Sequence, residues 1–209
     1  LSPGAPPADM ILHVRMLDND NEHKSEALGI FGANLVYDAL FQHATPRWII
    51  EGLADGLGGE RIEVDLIDFS GPGFAEVENH LMNLHLIRSK LTRAVVFNPD
   101  GAVVMPGELF YRKPVLVMRG CFRPVTCVDN DMRTAGLKQF SQLAEVTESE
   151  IVSLAEITMT SLCGCDETDG ADFLARIELL ASQGYTVMIS DYVRFFRLRD
   201  YLRRYTQQP

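Results

Sequence analysis

Long apolar runs are missing from this 209-residue chain. The longest, such as 114–118, are strand-sized and fall well short of the roughly 18–20 residues that cross a bilayer, so no transmembrane role is expected. Cysteine is scarce. Cys121, Cys127, Cys163 and Cys165 are too few to staple a chain of this size, and without a secretory leader pattern the expectation is reduced thiols in a cytoplasm. Basic residues are in deficit, 19 against 29 acidic. The resulting net charge of -10 repels a phosphate backbone and argues against a nucleic-acid partner. The Walker A loop, the glycine fingerprint of dinucleotide-binding folds and the Gly-x-Ser-x-Gly elbow are also absent, which removes three large enzyme classes. What is present is 46% hydrophobic and 23% charged residues, enough for a core and too apolar for disorder.

The Pro-rich start LSPGAPP cannot form helix or central strand, so residues 1–9 read as a linker or tail and 10–209 as a single α/β domain. Residues 10–16 form a strand-like run that empties into the charged stretch 18–24. Ile30, Leu35, Ala39 and Leu40 approach helical spacing over 29–41, and Thr45-Pro46 opens a second helix that Gly56 and Gly58-Gly59 end. Residues 61–69 alternate Ile62, Val64 and Leu66 with Glu63 and Asp65, a strand with one buried face. Phe74, Val77, Leu81, Leu84 and Leu91 then mark an amphipathic helix. Asn98-Pro99-Asp100-Gly101 is the turn of a β-hairpin inserted near 94–105. Strand-type runs at 114–119, 151–157 and 185–190 are each followed by a helical segment, at 130–144, 170–183 and 192–205. This βα rhythm predicts a mostly parallel sheet, open or barrel-like.

In such sheets the working residues gather beyond the carboxyl ends of the strands. That rule selects Asp18 and Asp20; Asp65, Asp68 and Ser70; Arg119, Arg123 and Thr126; Glu156 and Thr158; and Ser190 with Asp191, an acidic mouth holding two arginines. The segment 119–126 is chemically the most pointed. Arg119 and Arg123 can fork hydrogen bonds to a phosphate or carboxylate, with the Thr126 hydroxyl as a further donor and Ser190 nearby, unless an arginine merely pairs with Asp129 or Asp131. Glu63 and Asp65 share a strand face and Asp68 follows, so Asp65 and Asp68 are candidate ligands of a hydrated Mg²⁺, against the plainer reading of solvated strand carboxylates. Glu156, Asp68 and Asp191 are candidate acid/base residues.

Several weaker patterns fall away. The stretch 18–22 mimics an EF-hand start, yet His23 stands at the sixth position and Gly29 at the twelfth. Cys163-Gly164-Cys165 lacks a second thiolate pair, and His80 and His85 are wrongly spaced for a helical ligand pair. Cys121 lies between two arginines but has no histidine base close in sequence. The basic, aromatic segment 193–205 is either a docking helix or the last helix to cover the core.

The stretches 12–41, 61–74, RGCFRPVTCVDNDM (119–132), LAEITM (154–159) and 187–206 together resemble a family of larger bacterial proteins, found in cyanobacteria and proteobacteria. Members carry the labels nicotinate-nucleotide adenylyltransferase or TonB-dependent receptor. Neither label suits these residues, since no His-x-Gly-His tetrad occurs and strands alternate with helices instead of forming the many ten-residue strands of an outer-membrane barrel. The family has serine where Cys121 stands and asparagine where Asp191 stands. Its pattern runs past Tyr205-Thr206 into a glycine-rich segment, so the resemblance implies a C-terminally shorter form whose site a further region or chain completes.

The reading that follows is an enzyme or enzyme-derived domain binding a small phosphorylated or carboxylated metabolite at the strand ends. The alternative is a non-catalytic assembly or regulatory subunit, acting as a homo-oligomer or with a partner chain. Glu156 separates them. It sits in the nearly all-apolar run 151–157, where a carboxylate needs a partner such as Arg119 or Arg123. A functional Glu156 implies that Glu156→Gln abolishes ligand binding while sparing much of the stability.

Overall fold

A computed structural model of the chain describes residues 6–58, 60–162 and 169–206. These fall into two compact units that meet in sequence between Arg93 and Ala94. The sequence reads as one domain because no Pro/Gly-rich linker marks that junction, yet each unit has its own sheet and its own apolar cluster.

The first unit runs β1 (Asp9–Met16), α1 (Asn21–Phe41), α2 (Pro46–Gly52), β2 (Ile62–Ser70) and α3 (Asn79–Arg88). The charged stretch after β1 turns helical at Asn21, with Asp20 as the N-cap. The Asp20 side chain accepts from His23 N at 2.9 Å, and Glu22 sits in the first turn, where the helix dipole favours an anion. Arg61 ties this start to β2, donating to Asp18 at 2.9 Å, to the His23 carbonyl at 2.7 Å and to Glu26 at 2.9 Å.

β1 and β2 pair antiparallel, with a bulge at Asp65 where the register shifts between His13 and Val14. The expectation of parallel strands does not hold here. Two helices in the connection give the chain room to reverse, and periodicity carries no information about strand direction. Met10, Leu12 and Val14 pack from β1 onto the buried Val64, Ile67 and Phe69 of β2 and onto Phe31, Ile49 and Ile50 of the helices.

A two-stranded sheet is marginal on its own. Here α3 stands in for a third strand. Asn83, fully buried, accepts from Ile67 N at 3.1 Å and donates to Ile67 O at 2.6 Å, while Asn79 does the same for Phe69 at 2.9 and 3.0 Å. Four residues apart on a helix matches two apart on a strand, about 6 Å against about 7 Å, so the two amides meet successive edge positions of β2.

The second unit runs β3 (Ala94–Phe97), β4 (Val103–Val104), α4 (Pro106–Phe110), β5 (Val115–Arg119), α5 (Cys127–Ala144), β6 (Val152–Thr158), α6 (Met159–Leu162), α7 (Asp169–Ser182), β7 (Thr186–Ser190) and α8 (Phe195–Leu202). The sheet is open, in the order β4-β3-β7-β6-β5. β5, β6 and β7 are parallel as expected, whereas β3 is antiparallel to both β7 and β4, so the sheet is mixed. The hairpin near 94–105 is present, its turn held by Asn98 Oδ1 accepting from Asp100 N at 3.0 Å and Ala102 N at 2.8 Å. One face, carrying Val96, Leu154 and Met188, is covered by Phe110 of α4 and by Leu198, Tyr201 and Leu202 of α8. The C-terminal helix is therefore core-covering, not a free docking element. The other face is covered by α5 and α7, with Phe97 edge-on to Phe173 at 6.3 Å.

Asn83→Ala strands two buried backbone groups of β2 at once, and at about 1–3 kcal/mol for each unsatisfied group the expected loss is on the order of 3 kcal/mol in urea unfolding. A change under 1 kcal/mol would show that water or repacking replaces the amide.

Candidate functional site

The carboxyl ends of β5, β6 and β7 bring together some of the sequence-selected residues and separate others. Side chains alternate between faces along a strand. Val115, Val117 and Arg119 of β5, Leu154 and Glu156 of β6, and Met188 and Ser190 of β7 thus share the α8 face. Arg119 and Glu156 are register partners, as a buried acid in this run requires. The Arg119 guanidinium chelates Glu156 through Nε and through Nη2 at 3.0 Å, and the Ser190 hydroxyl donates to the same carboxylate.

Arg119 also reaches over the strand ends. It donates to the Tyr192 carbonyl at 2.7 Å and the Val193 carbonyl at 2.9 Å, and its guanidinium lies over the Phe195 ring at 4.3 Å. Ser190 Oγ in turn accepts from Tyr192 N at 3.2 Å. Glu156 is 0% exposed. The network spends four of the five Arg119 N–H groups on protein acceptors and fastens the β7–α8 connection across the sheet. Asp191, in that connection, is exposed.

Arg123 belongs to the other side. Its Nε lies 3.4 Å from Asp172 of α7, and its side chain is 60% exposed. Arg119 and Arg123 therefore do not fork one ligand. Thr126 is the N-cap of α5, its hydroxyl donating to Asp129 at 2.7 Å and accepting from Asp129 N at 3.3 Å in a capping box. Among the described residues neither Asp129 nor Asp131 pairs with an arginine; Asp129 serves the cap and Arg123 pairs with Asp172.

Between Arg119 and Thr126 the loop is shaped by Phe122, which takes a left-handed φ of 47° while its ring is buried beside Gly120. Such a backbone costs about 1–2 kcal/mol and burying a phenyl ring returns about 1.5–3, so burial wins and fixes the loop. A Cβ at Gly120 would stand 3.1 Å from the Phe122 ring. Cys121 and Cys127 are exposed free thiols.

The residue that sequence reasoning missed is Arg176, on α7. It is 6% exposed, pairs with Asp172 one turn earlier and donates to the Cys121 carbonyl at 3.4 Å. Its Nε has no partner among the described residues. The i, i+4 spacing of Asp172 and Arg176 was the available signal. Asp172 thus serves two arginines, one buried and one exposed. Thr158, at the end of β6, bonds with Thr160 at 3.0 Å and Ser161 at 2.8 Å in a hydroxyl cluster.

The residues expected at one acidic mouth divide between the two units. Asp18 and Asp20 serve the start of α1, and Asp65, Asp68 and Ser70 lie on β2 in the antiparallel pair of the first unit. Asp68 accepts from Asn79 Nδ2 at 2.7 Å. Asp65 is buried against His13 Nδ1 at 2.5 Å, and Glu63 is buried against Arg15. Burial pushes the Asp65 carboxyl above its ordinary range, with His13 pulling the other way. No cluster of three or more His, Cys, Asp or Glu side chains able to hold a metal occurs among the described residues. The Cys163-Gly164-Cys165 motif lies outside them. No helix of the described residues is long and apolar enough to cross a membrane.

Comparison with protein-family models, with curated proteins and with solved structures finds no match to this chain, so the functional reading rests on geometry.

Complete enclosure of Glu156 shifts its expected role toward stability. Glu156→Gln leaves Arg119 without its charge partner inside the fold, at an expected cost of about 3–5 kcal/mol. Chemical denaturation measures it, and a variant as stable as the parent would return Glu156 to the list of dispensable functional groups. Asp65 gives a pH test. Its folded-state pKa is raised, so it weakens the fold as pH climbs through that value and has no effect once both states are protonated. Asp65→Asn should stabilise the protein at neutral pH and lose that advantage near pH 4; equal effects at both pH values would contradict the assignment.

Proposed function

We propose that the second unit binds a small phosphorylated or carboxylated metabolite beyond the carboxyl ends of β5–β7, on the side covered by α7. The observation that carries this reading is the shared carboxylate of Asp172. Two guanidiniums lean on one acid, the buried Arg176 keeps an Nε without a partner among the described residues, and Arg123 turns most of its side chain to solvent. A buried unpaired N–H costs about 1–3 kcal/mol, a cost that an incoming anion relieves while offering Arg123 a second partner. An exposed arginine pair at 3.4 Å contributes little and is easily exchanged.

In this reading Arg123 and Arg176 contact the anion, and Asp172 competes with it. The Phe122-anchored loop positions Arg123. Glu156, Arg119 and Ser190 hold the neighbouring β7–α8 connection and act as positioning residues. No reaction is assigned. The alternative reading, a non-catalytic assembly subunit, draws support from α5, an 18-residue helix none of whose described side chains is buried.

Thermal-shift titration with inorganic phosphate and a panel of phosphorylated and carboxylated metabolites tests the first reading. Arg123→Ala should weaken binding at least about tenfold, the equivalent of one charge-assisted hydrogen bond, and Asp172→Asn should strengthen it by removing the competing carboxylate. Identical curves for the parent and Arg123→Ala across the panel would sink the proposal.

A further inference from the structure

The open side of β5 carries the most specific unused feature of the molecule. Pro114 O and Gly120 N bond to β6, from Val152 N at 2.9 Å and to Glu156 O at 3.1 Å, so the even-numbered positions of β5 face its neighbour. In a parallel ladder the alternate residues face the other way. The N–H and C=O groups of Val115, Val117 and Arg119 therefore point out of the sheet, and none has a backbone partner among the described residues.

α5 overhangs this edge with an apolar flank. At about 100° per residue Val128, Met132 and Leu143 fall within about 60° of one another, and they are 59%, 58% and 84% exposed. On the opposite flank Asn130 meets the Tyr185 hydroxyl at 3.1 Å, and between the two Arg133 donates to the Gln183 and Gly184 carbonyls, so the apolar flank is the one turned away from α7.

We propose that this edge pairs with the same edge of a second copy, antiparallel about Val117, joining the two five-stranded sheets into one. Self-complementarity selects the occupant. A two-fold axis at Val117 sets Val117 against itself and Val115 against Arg119, so every outward-facing residue meets another outward-facing residue and about six new backbone hydrogen bonds close. The same axis brings the apolar flanks of the two α5 helices together antiparallel. Asp131 and Lys138, exposed and seven residues apart on the outer line of α5, then oppose each other across the axis.

The net charge of -10 on each copy resists association at long range. Screening over about 8 Å at physiological salt confines that repulsion to charges near contact, where the local pair is attractive. The other edge of this sheet is guarded: β4 is two residues long and runs into Pro106.

Light scattering on the full chain across about 1–100 µM tests the proposal independently of anion binding. The parent should approach about 47 kDa, twice the 23.4 kDa of one chain, at the upper concentrations. Met132→Glu, at an exposed position, should raise the dissociation constant at least about tenfold, as should Val117→Pro, which removes an outward-facing N–H. Circular dichroism checks that each variant folds, and if Val117→Pro does not, Met132→Glu decides alone. Phe41→Glu, on the exposed apolar face of α1, should leave the mass unchanged. A parent of 23.4 kDa throughout, or a dimer indifferent to Met132→Glu, overturns the proposal.

Discussion

Backbone groups at the edge of a sheet must find hydrogen-bond partners, and this requirement organises both units. In the first unit it is met by side chains. Asn79 and Asn83 give β2 the bonds that a third strand would supply, and Leu91 O accepts from Val64 N at 2.9 Å further along the same edge. α3 is thereby held against a strand that could not stand alone. In the second unit β3 is closed by the short β4 and β7 by β6, which leaves β5 as the long apolar edge. The same physics that fixes α3 in one unit leaves the outward backbone groups of β5 without backbone partners among the described residues in the other.

Buried charge follows a parallel rule. Glu156, Glu63 and Asp65 are all buried, and each faces a cation-forming side chain on the adjacent strand: Arg119, Arg15 and His13. Strand register creates the two arginine pairs, Arg15 with Glu63 and Arg119 with Glu156, whereas the bulge brings Asp65 to His13, whose register partner is Leu66. Arg176 departs from the pattern, since its charge partner Asp172 is shared with Arg123 and its Nε is left over. That network is incomplete, whereas the complete one around Glu156 holds the β7–α8 connection in place.

The local chemistry of the chain was legible without coordinates. Pro46 at a helix start, Asn98–Gly101 as a hairpin turn, three βα units in the second half and a buried Glu156 in need of an arginine all follow from short-range rules about dihedrals, periodicity and desolvation. Long-range pairing was not legible. Alternation in 61–69 marks a strand but says nothing of its direction or its neighbour, so the antiparallel β1–β2 pair and the amide clamp from Asn79 and Asn83 emerge only when segments distant in sequence meet. The convergence of Arg123 and Arg176 on Asp172 has the same origin. Residues fifty positions apart become neighbours through the crossover from β5 to α7, and hydrophobic periodicity, being a property of one segment at a time, encodes which face is buried but not which face of another element it will meet.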